Sequence, residues 1–396
     1  MIKTQIYKIY NSDRLIKKYD RQVSLCRMVY NLSKEIDEMH FNAGKKITCF
    51  DLQKQLTDLK KDFNYLREID STVLQNTIER YFKSKDKFFA DHKSGKILKL
   101  KAKYIAKQTK NGYPVSSSKL FNIGKPKWAK KDEYQTLNYK SGIKAKSNGF
   151  YIPKFGYLKV FNFKQYQGEK LKSFSITKKA DGLYLNVQIE VENIKPIIDS
   201  ESQAGIDMGI KFFLTTSDGE FIDNPKHLFK RQKELRVAQR ALSRKYVKGA
   251  KKQSNNYEKA KNKVAKIHKK VVDCRKDFLH KQSTYLANNY SVIFREDLNI
   301  SGMVQSRLSK HISDVSWGTF FEMLEYKTNV IKVNPAYTSQ KCNKCGHTCK
   351  ENRVTQSIFK CVSCGHEDNA DANSSLNILE AGASAMKRQR EALACA

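Results

Sequence analysis

Residues 334–379, NPAYTSQKCNKCGHTCKENRVTQSIFKCVSCGHEDNADANSSLNIL, are the stretch that decides the fold. The stretch contains two Cys-x2-Cys pairs, and fifteen residues lie between the second and third of these cysteines. This spacing is typical of two turns that close on one tetrahedral zinc ion. A glycine directly follows each pair and supplies the backbone freedom that such turns need. The expected zinc ligands are Cys342, Cys345, Cys361 and Cys364.

Four thiolates fill every position around a tetrahedral zinc ion, so they leave no place for a substrate. We therefore expect the zinc to be structural and the ribbon that it holds to be a scaffold. Cys349 is close to the first pair, but its x3 spacing from Cys345 makes it the weaker candidate for a ligand.

Three acidic residues in apolar surroundings are the second notable feature. Asp207 is embedded in the β-favouring run 203–219, Glu296 ends an apolar, strand-like segment, and Asp371 opens an Ala/Ser/Leu-rich helical turn. An ionised acid in an apolar strand is costly unless it is paired or binds a metal. Together the three carboxylates could hold two Mg²⁺ ions and support in-line hydrolysis of a phosphodiester. The alternative is that each acid is a helix cap or part of a surface salt bridge.

The segments around these acids resemble the three RuvC-type nuclease motifs of TnpB (OrfB) proteins, the transposon-encoded relatives of type V CRISPR effectors. The matching segments are 205–210 (GIDMGI), 296–300 (EDLNI) and 337–378, the last with an inserted zinc ribbon. The resemblance implies an RNA-guided DNA endonuclease that uses an omega-type guide RNA to cleave double-stranded DNA. Matched motif by motif, Asp207, Glu296 and Asp371 take the catalytic, Mg²⁺-binding positions, and the four cysteines take the zinc positions.

The resemblance also implies an α+β fold with several domains. These are an RNase H-like (RuvC) nuclease domain with the inserted zinc ribbon, and an N-terminal β-barrel-like wedge domain with an inserted helical recognition domain. The expected ranges are the wedge at 1–12 and 95–192, the recognition domain at 13–94, the nuclease domain at 203–341 and 370–381, the ribbon at 342–369, and a basic tail at 382–396 that is disordered or lies on nucleic acid. Residues 192–202 are expected to be a linker.

Local patterns predict individual elements. Alternating side chains over residues 2–10 predict a strand that completes the later β region. Thr48 and Ser71 stand where N-caps would start helices. Glycine and proline turns predict short β pieces from about Gly95 onward. Residues 313–329 predict one capped amphipathic helix that faces the core.

The charge of the chain indicates a polyanionic partner. Seventy-five Lys and Arg against forty Asp and Glu leave a net charge of +35 over 396 residues. A ribosomal-type basic protein would share this charge but would have no reason to bury three acids. The basic run 228–289 predicts a helical hairpin along a nucleic-acid backbone, with a plain solvated helix as the alternative. The candidate contacts are Lys230, Arg231, Arg236, Arg240, Arg244, Lys251, Lys252 and Arg275.

Three other functions stay open at the level of the sequence. They are a type V CRISPR effector nuclease, a non-cleaving RNA-guided DNA-binding protein, and a zinc-ribbon RNA-binding or assembly protein without activity. The chain lacks a signal peptide pattern and an apolar run of 18 or more residues, so we expect no membrane partner. We expect a reducing, prokaryotic-type cytoplasm, association with the nucleoid and a monomer.

Overall fold

The computed structural model of the protein describes residues 2–131, 134–191, 202–250, 252–305 and 308–394, with side chains described as far as residue 388. The chain divides into two compact units, Met1–Glu192 and Asn193–Ala396. Their helices and strands make a mixed α+β fold, as predicted. Of the predicted linker at 192–202, only Ser202 is among the described residues. Within the described ranges, every helix is too short or too polar to cross a bilayer.

The first unit opens with a strand and a series of helices. Ser12 caps the first helix by accepting a hydrogen bond from the backbone of Leu15, and Thr48 caps the second in a capping box with Asp51. The predicted cap at Ser71 is wrong by one residue, because Asp70 accepts from Thr72 and Ser71 is already helical. The elements are β1 Ile2–Lys8, α1 Asp13–Asn42, α2 Cys49–Asp62, α3 Ser71–Lys93, α4 Lys96–Lys110 and α5 Ser117–Asn122.

The prediction of β structure from about Gly95 is wrong for the first part of that region. Residues 96–110 form α4, and the chain is helical again in α5. The run 96–110 contains six Lys, two Leu and two Ala and neither Gly nor Pro, so its helix propensity is high. The glycines and prolines that suggested β turns lie after this run. The expected domain boundary after residue 94 therefore does not coincide with a change in secondary structure.

Two antiparallel sheets complete the first unit. One has the order β1-β7-β6-β2 and the other β3-β4-β5. The opening strand pairs with the last strand, Ile2 opposite Glu190, so the prediction that it completes the later β region is confirmed. A bridge between Ile9 and Val160 connects the end of β1 to the residue after β5. The added strands are β2 Thr136–Tyr139, β3 Lys144–Lys146, β4 Gly149–Ile152, β5 Gly156–Lys159, β6 Lys170–Lys179 and β7 Gly182–Glu190.

The second unit is built on a five-stranded sheet with the order β10-β9-β8-β11-β12. β8 pairs antiparallel with β9, and β9 with β10, whereas β11 is parallel to both β8 and β12. The strands predicted around Asp207, before Glu296 and after Asn329 are confirmed. The five strands of this sheet are β8 Gln203–Met208, β9 Phe212–Thr216, β10 Phe221–Asp223, β11 Val292–Glu296 and β12 Asn329–Val333.

The predicted helical hairpin is confirmed: its two long helices pack through Leu235, Ala238 and Ile267. The single helix predicted over 313–329 is instead broken at Ser316, whose backbone is left-handed with φ 58°. Its predicted core residues, among them Trp317 and Phe320, are nevertheless buried. The helices of this region are α6 His227–Lys230, α7 Gln232–Ser243, α8 Asn255–Asn289, α9 Ile300–Met303, α10 Ser309–Val315 and α11 Trp317–Glu325.

The cysteine-rich segment forms a small hairpin of β13 Ile358–Lys360 and β14 Glu367–Asn369, and the last helix follows it directly. This helix, α12 Ala370–Ala394, packs on β8, β9, β11 and β12. It continues through most of the predicted tail, so residues 382–394 are helical rather than disordered. Gly205 permits the close approach of α12, because a Cβ there would lie 2.2 Å from the carbonyl oxygen of Ser375.

Gly205→Ala should lower the free energy of unfolding by about 3 kcal/mol, because the added methyl group meets backbone atoms of α12 that cannot move aside alone. Gly318→Ala is the matched control. A Cβ at Gly318 makes only an ordinary contact, 3.8 Å from Ile300 Cδ1, and alanine favours the helix. Chemical denaturation of both variants measures the difference. Equal stability of the two variants would contradict the tight packing of α12 on β8.

Candidate active site and metal centre

Asp207 and Glu296 lie side by side at one edge of the five-stranded sheet. The parallel register of β8 and β11 pairs Ile206 with Arg295, so the next residues along the two strands are Asp207 and Glu296. Residues in register on neighbouring strands project from the same face of a sheet. The side chains of both acids therefore point into the same region.

Asp371 reaches this region from the first turn of α12. Its backbone N–H donates to Asn369 Oδ1 at 2.9 Å, which satisfies one of the free donors at the start of the helix. The helix α12 packs on β8 and β11, the two strands that carry the other two acids. Both Glu296 and Asp371 raise the pKa of Asp207 through their charge. The structure thus brings the three predicted acids together.

All three carboxyl groups have pKa values above their ordinary range. Burial, followed by the charges of Glu296 and Asp371, raises the pKa of Asp207 from 3.8 to about 8. Burial also raises the pKa of Glu296, although a hydrogen bond from the Thr338 hydroxyl opposes this shift. Burial raises the pKa of Asp371 as well. A group of like charges in a partly dehydrated place is a common property of catalytic sites.

Arg353 is a residue of this site that the sequence did not reveal. It lies between the two cysteine pairs, and its Nη2 is 3.8 Å from Asp371 Oδ1. Its positive charge lowers the pKa of each of the three acids. Nothing in its spacing from the acidic motifs marks it, because only folding of the inserted ribbon brings it to the sheet edge.

The four predicted cysteines form a compact cluster. Their sulfur atoms all lie within 4.8 Å of one another, with Cys342 Sγ 3.8 Å from Cys364 Sγ and Cys345 Sγ 3.6 Å from Cys361 Sγ. In the described ranges, no other set of three or more His, Cys, Asp or Glu side chains meets this distance limit, so the three acids are spaced more widely. Such a cluster can bind a zinc ion.

Each cysteine pair sits on the same kind of turn. The N–H of Gly346 donates to the carbonyl of Cys342, the N–H of Gly365 donates to that of Cys361, and both glycines have φ above 70°. Hydrogen bonds from the backbone N–H groups of Cys364 and Ser363 also lower the pKa of the Cys361 thiol, which favours the thiolate that a metal requires. Cys349 lies outside the cluster, and its thiol contacts Glu351.

The predicted nucleic-acid contacts have several different environments. Arg231 is ion-paired with Glu234. Arg275 is mostly buried and donates to Asp314 Oδ1 at 2.7 Å, an ion pair that connects α8 to α10. Lys251 lies outside the described residues. The exposed members of the set are Lys230, Arg236, Arg240, Arg244 and Lys252.

Comparisons with known proteins identify the family of the chain. The model of the family described as "Probable transposase" (OrfB_IS605) matches residues 186–307, and that of the "Cas12f1-like, TNB domain" matches residues 317–378. The Escherichia coli (strain K12) protein named "Putative RNA-guided DNA endonuclease InsQ" is 34% identical over 280 residues, which are 65% of this chain and 68% of that protein. The chain belongs to the TnpB (OrfB) family.

Other relatives match the chain at lower identity. The Streptomyces pristinaespiralis protein named "Putative RNA-guided DNA endonuclease" is 27% identical over 96% of this chain and 89% of its own length. The CRISPR-associated endodeoxyribonuclease Cas12f1 of Sulfoacidibacillus thermotolerans is 29% identical over 49% of each chain. The solved mini-RNA-guided endonuclease CRISPR-Cas_phi3 has a TM-score of 0.45 at 12% identity, over 96% of this chain and 92% of that one.

Asp207→Asn should stabilise the protein at neutral pH when no divalent cation is added. Because the native pKa of about 8 exceeds the ordinary 3.8, the native state binds more protons than the unfolded state between these pH values. The resulting stabilisation is complete below pH 4 and is lost as the pH rises towards 8. Asparagine does not titrate, and each pKa unit corresponds to about 1.4 kcal/mol, so the gain at pH 8 should be roughly 5 kcal/mol.

Chemical denaturation at pH 5 and pH 8 checks this expectation. Asp297→Asn is the matched control, since its side chain is 65% exposed and lies directly after Glu296. An Asp207→Asn variant that is less stable than the wild type at pH 8 would show that the carboxylates do not repel one another in the fold.

Proposed function

We propose that the protein is an RNA-guided DNA endonuclease in which Asp207, Glu296 and Asp371 hold two Mg²⁺ ions. The observation that carries this proposal is the meeting of three acids from distant segments at one sheet edge, where their pKa values are raised. The alternative, in which each acid is a cap or a surface salt bridge, does not account for this shared location. The names of the relatives support RNA guidance and DNA cleavage.

The second unit is proposed to be the RuvC-type, RNase H-like nuclease domain. Its sheet has an antiparallel hairpin on one side of β8 and two parallel strands on the other, and α12 covers it. The ribbon is then an insertion between β12 and α12. The first unit, whose described residues form two antiparallel sheets and five α-helices, is proposed to combine the wedge and recognition domains. In this arrangement the recognition helices extend to α5 rather than ending at residue 94.

The donor atoms at each site fit the metal proposed for it. Three carboxylates provide the hard oxygen ligands that Mg²⁺ prefers, and four thiolates provide the tetrahedral sulfur set typical of structural Zn²⁺. When bound, the Mg²⁺ ions would supply charge neutralisation at the scissile phosphate and lower the pKa of the attacking water. The carboxylates hold and orient these ions. Arg353, beside Asp371, is placed to donate to a phosphate oxygen in the same region.

The surface of the helical hairpin supports a nucleic-acid partner. Lys230, Arg236, Arg240, Arg244 and Lys252 are exposed on α6, α7 and the loop that follows. Exposed cations at helical spacing bind phosphates through charge rather than through base sequence. In the proposed function they hold the backbone of the guide RNA, the target DNA or their heteroduplex, while base pairing by the guide selects the target.

Cleavage of matched DNA tests the proposed function. The protein is purified with RNA co-expressed from its own flanking region, that RNA is sequenced, and duplexes that match it are incubated with Mg²⁺. The wild type should cut them, and the recovered RNA distinguishes a transposon-type guide from a CRISPR-type guide. Asp207→Ala should lower the rate by more than about 100-fold, because loss of a direct ligand exceeds the roughly 10- to 100-fold cost of losing a residue that only orients a metal ligand.

Asp297→Ala is the control for this experiment, because the residue adjoins Glu296 but is exposed to solvent. It should cut at nearly the wild-type rate. Cleavage that survives Asp207→Ala would remove the catalytic assignment. Guide-dependent DNA binding by the wild type without any cleavage would favour the non-cleaving alternative.

Removal of one cluster thiol should release zinc and loosen the ribbon. Cys345→Ser is expected to abolish stoichiometric zinc and to lower the midpoint of thermal unfolding of the ribbon-bearing unit, because structural zinc contributes directly to folding. Cys349→Ser is the matched control, since Cys349 lies in the same ribbon but outside the cluster. Zinc content, measured by mass spectrometry, separates the two variants. Loss of zinc from the Cys349 variant alone would overturn the ligand assignment.

A further inference from the structure

Thr338 makes a side-chain contact with one of the three acids. It lies in the loop between β12 and the first cysteine pair and is only 8% exposed. Its Oγ1 donates to Glu296 Oε1 at 2.5 Å and is also 3.1 Å from the carbonyl oxygen of Pro335. A hydroxyl group has one proton, and the shorter bond to a carboxylate is the stronger of the two. The hydroxyl of Thr338 therefore donates its proton in a hydrogen bond to Glu296 rather than to Pro335.

The backbone of Thr338 is fixed by the helix that carries Asp371. Asn377, on α12 and 3% exposed, donates from its side-chain amide to the carbonyl oxygens of Thr338 at 2.9 Å and of Lys341 at 2.7 Å. Asn373, one turn earlier, also donates to the Lys341 carbonyl, at 2.8 Å. Buried hydrogen bonds from side-chain amides hold a loop in one conformation, because breaking them leaves polar groups without partners.

These contacts form a continuous connection from α12 through Thr338 to Glu296. Glutamate has three rotatable side-chain bonds, and a fixed hydroxyl group selects one of its orientations. The same hydrogen bond stabilises the ionised carboxylate against the effect of burial. We propose that Thr338 is a positioning residue: it holds Glu296 in the orientation that binds a divalent cation together with Asp207 and Asp371. The proposal rests on the proposed function, because it concerns the same acidic site.

A merely structural role for Thr338 makes a different prediction. In that case the hydroxyl only satisfies a buried acceptor, and its removal lowers overall stability without changing how the acids bind a cation. A positioning role instead requires a loss of cation affinity in a protein that is still folded. Residues that orient metal ligands typically change affinity by about 10- to 100-fold when they are removed.

Two comparisons provide the test: the native Thr338 with Val, and Ser with Ala at the same position. Within each pair the side chains differ mainly in the hydroxyl group. Thr338→Val replaces the hydroxyl with a methyl group, and Thr338→Ser and Thr338→Ala differ from each other only in the hydroxyl. Mn²⁺ binding is measured by electron paramagnetic resonance on the full-length, zinc-loaded protein without nucleic acid. Asp207→Asn in the same assay identifies the Mn²⁺ that belongs to the acidic site, and thermal unfolding shows which variants are folded.

We expect Thr338→Ser to bind Mn²⁺ nearly as the wild type does, and Thr338→Val and Thr338→Ala to bind it about 10- to 100-fold more weakly. DNA cleavage by the Val variant should fall at low Mg²⁺ and recover as the Mg²⁺ concentration is raised. A purely structural defect would not recover in this way. If Thr338→Val does not fold, the comparison of the Ser and Ala variants decides the question.

Wild-type Mn²⁺ affinity in a folded Val or Ala variant would overturn the positioning role, as would a Ser variant as weak as the Ala variant. Both results leave the proposed function intact as long as the wild type retains a Mn²⁺ site that depends on Asp207. Absence of that site from the wild type would overturn the proposed function and this inference together.

Discussion

The burial of three neighbouring carboxyl groups is the constraint on which the second unit depends. Asp207, Glu296 and Asp371 share one sheet edge, and burial, followed by the charges of the other two acids, raises the pKa of Asp207 to about 8. A fold driven only by stability would replace or separate such groups. The sheet instead holds two acids in register, and α12 brings the third. This arrangement lowers stability at neutral pH and is relieved by positive charge, which the metals and Arg353 would supply.

The cysteine ribbon and the acidic site are physically connected. The ribbon carries Arg353 to the acids, and the loop before it carries Thr338 to Glu296. The first turn of the ribbon is held against α12, because the side-chain oxygen of Asn373 accepts a hydrogen bond from the backbone N–H of Asn343 at 3.0 Å. The sequence alone suggested a passive scaffold. The structure adds to this role one contact from the ribbon, Arg353 with Asp371, and one from the loop before it, Thr338 with Glu296, so the proposed zinc would also help to fix the geometry of the acidic site.

The sequence predicted residues whose chemistry has a local signature. The acids stood out because an apolar strand rarely contains one, the cysteines because of their spacing, and the opening strand because of its alternation. The missed features have no such signature. Arg353 and Thr338 make contacts with the acids that arise only when distant segments fold together, and the break at Ser316 uses a left-handed backbone that serine rarely adopts. The helix at 96–110 was missed because later glycines and prolines outweighed its helix-forming composition.

The most direct test of the convergence of the acids is the position of bound Mn²⁺ in crystals of the wild-type protein, located from its anomalous scattering. The account predicts manganese within about 2.0 to 2.3 Å of carboxylate oxygens from Asp207, Glu296 and Asp371 together, and zinc alone at the cysteine cluster. Manganese found only at other surface acids, with the three side chains directed to separate regions, would contradict the account.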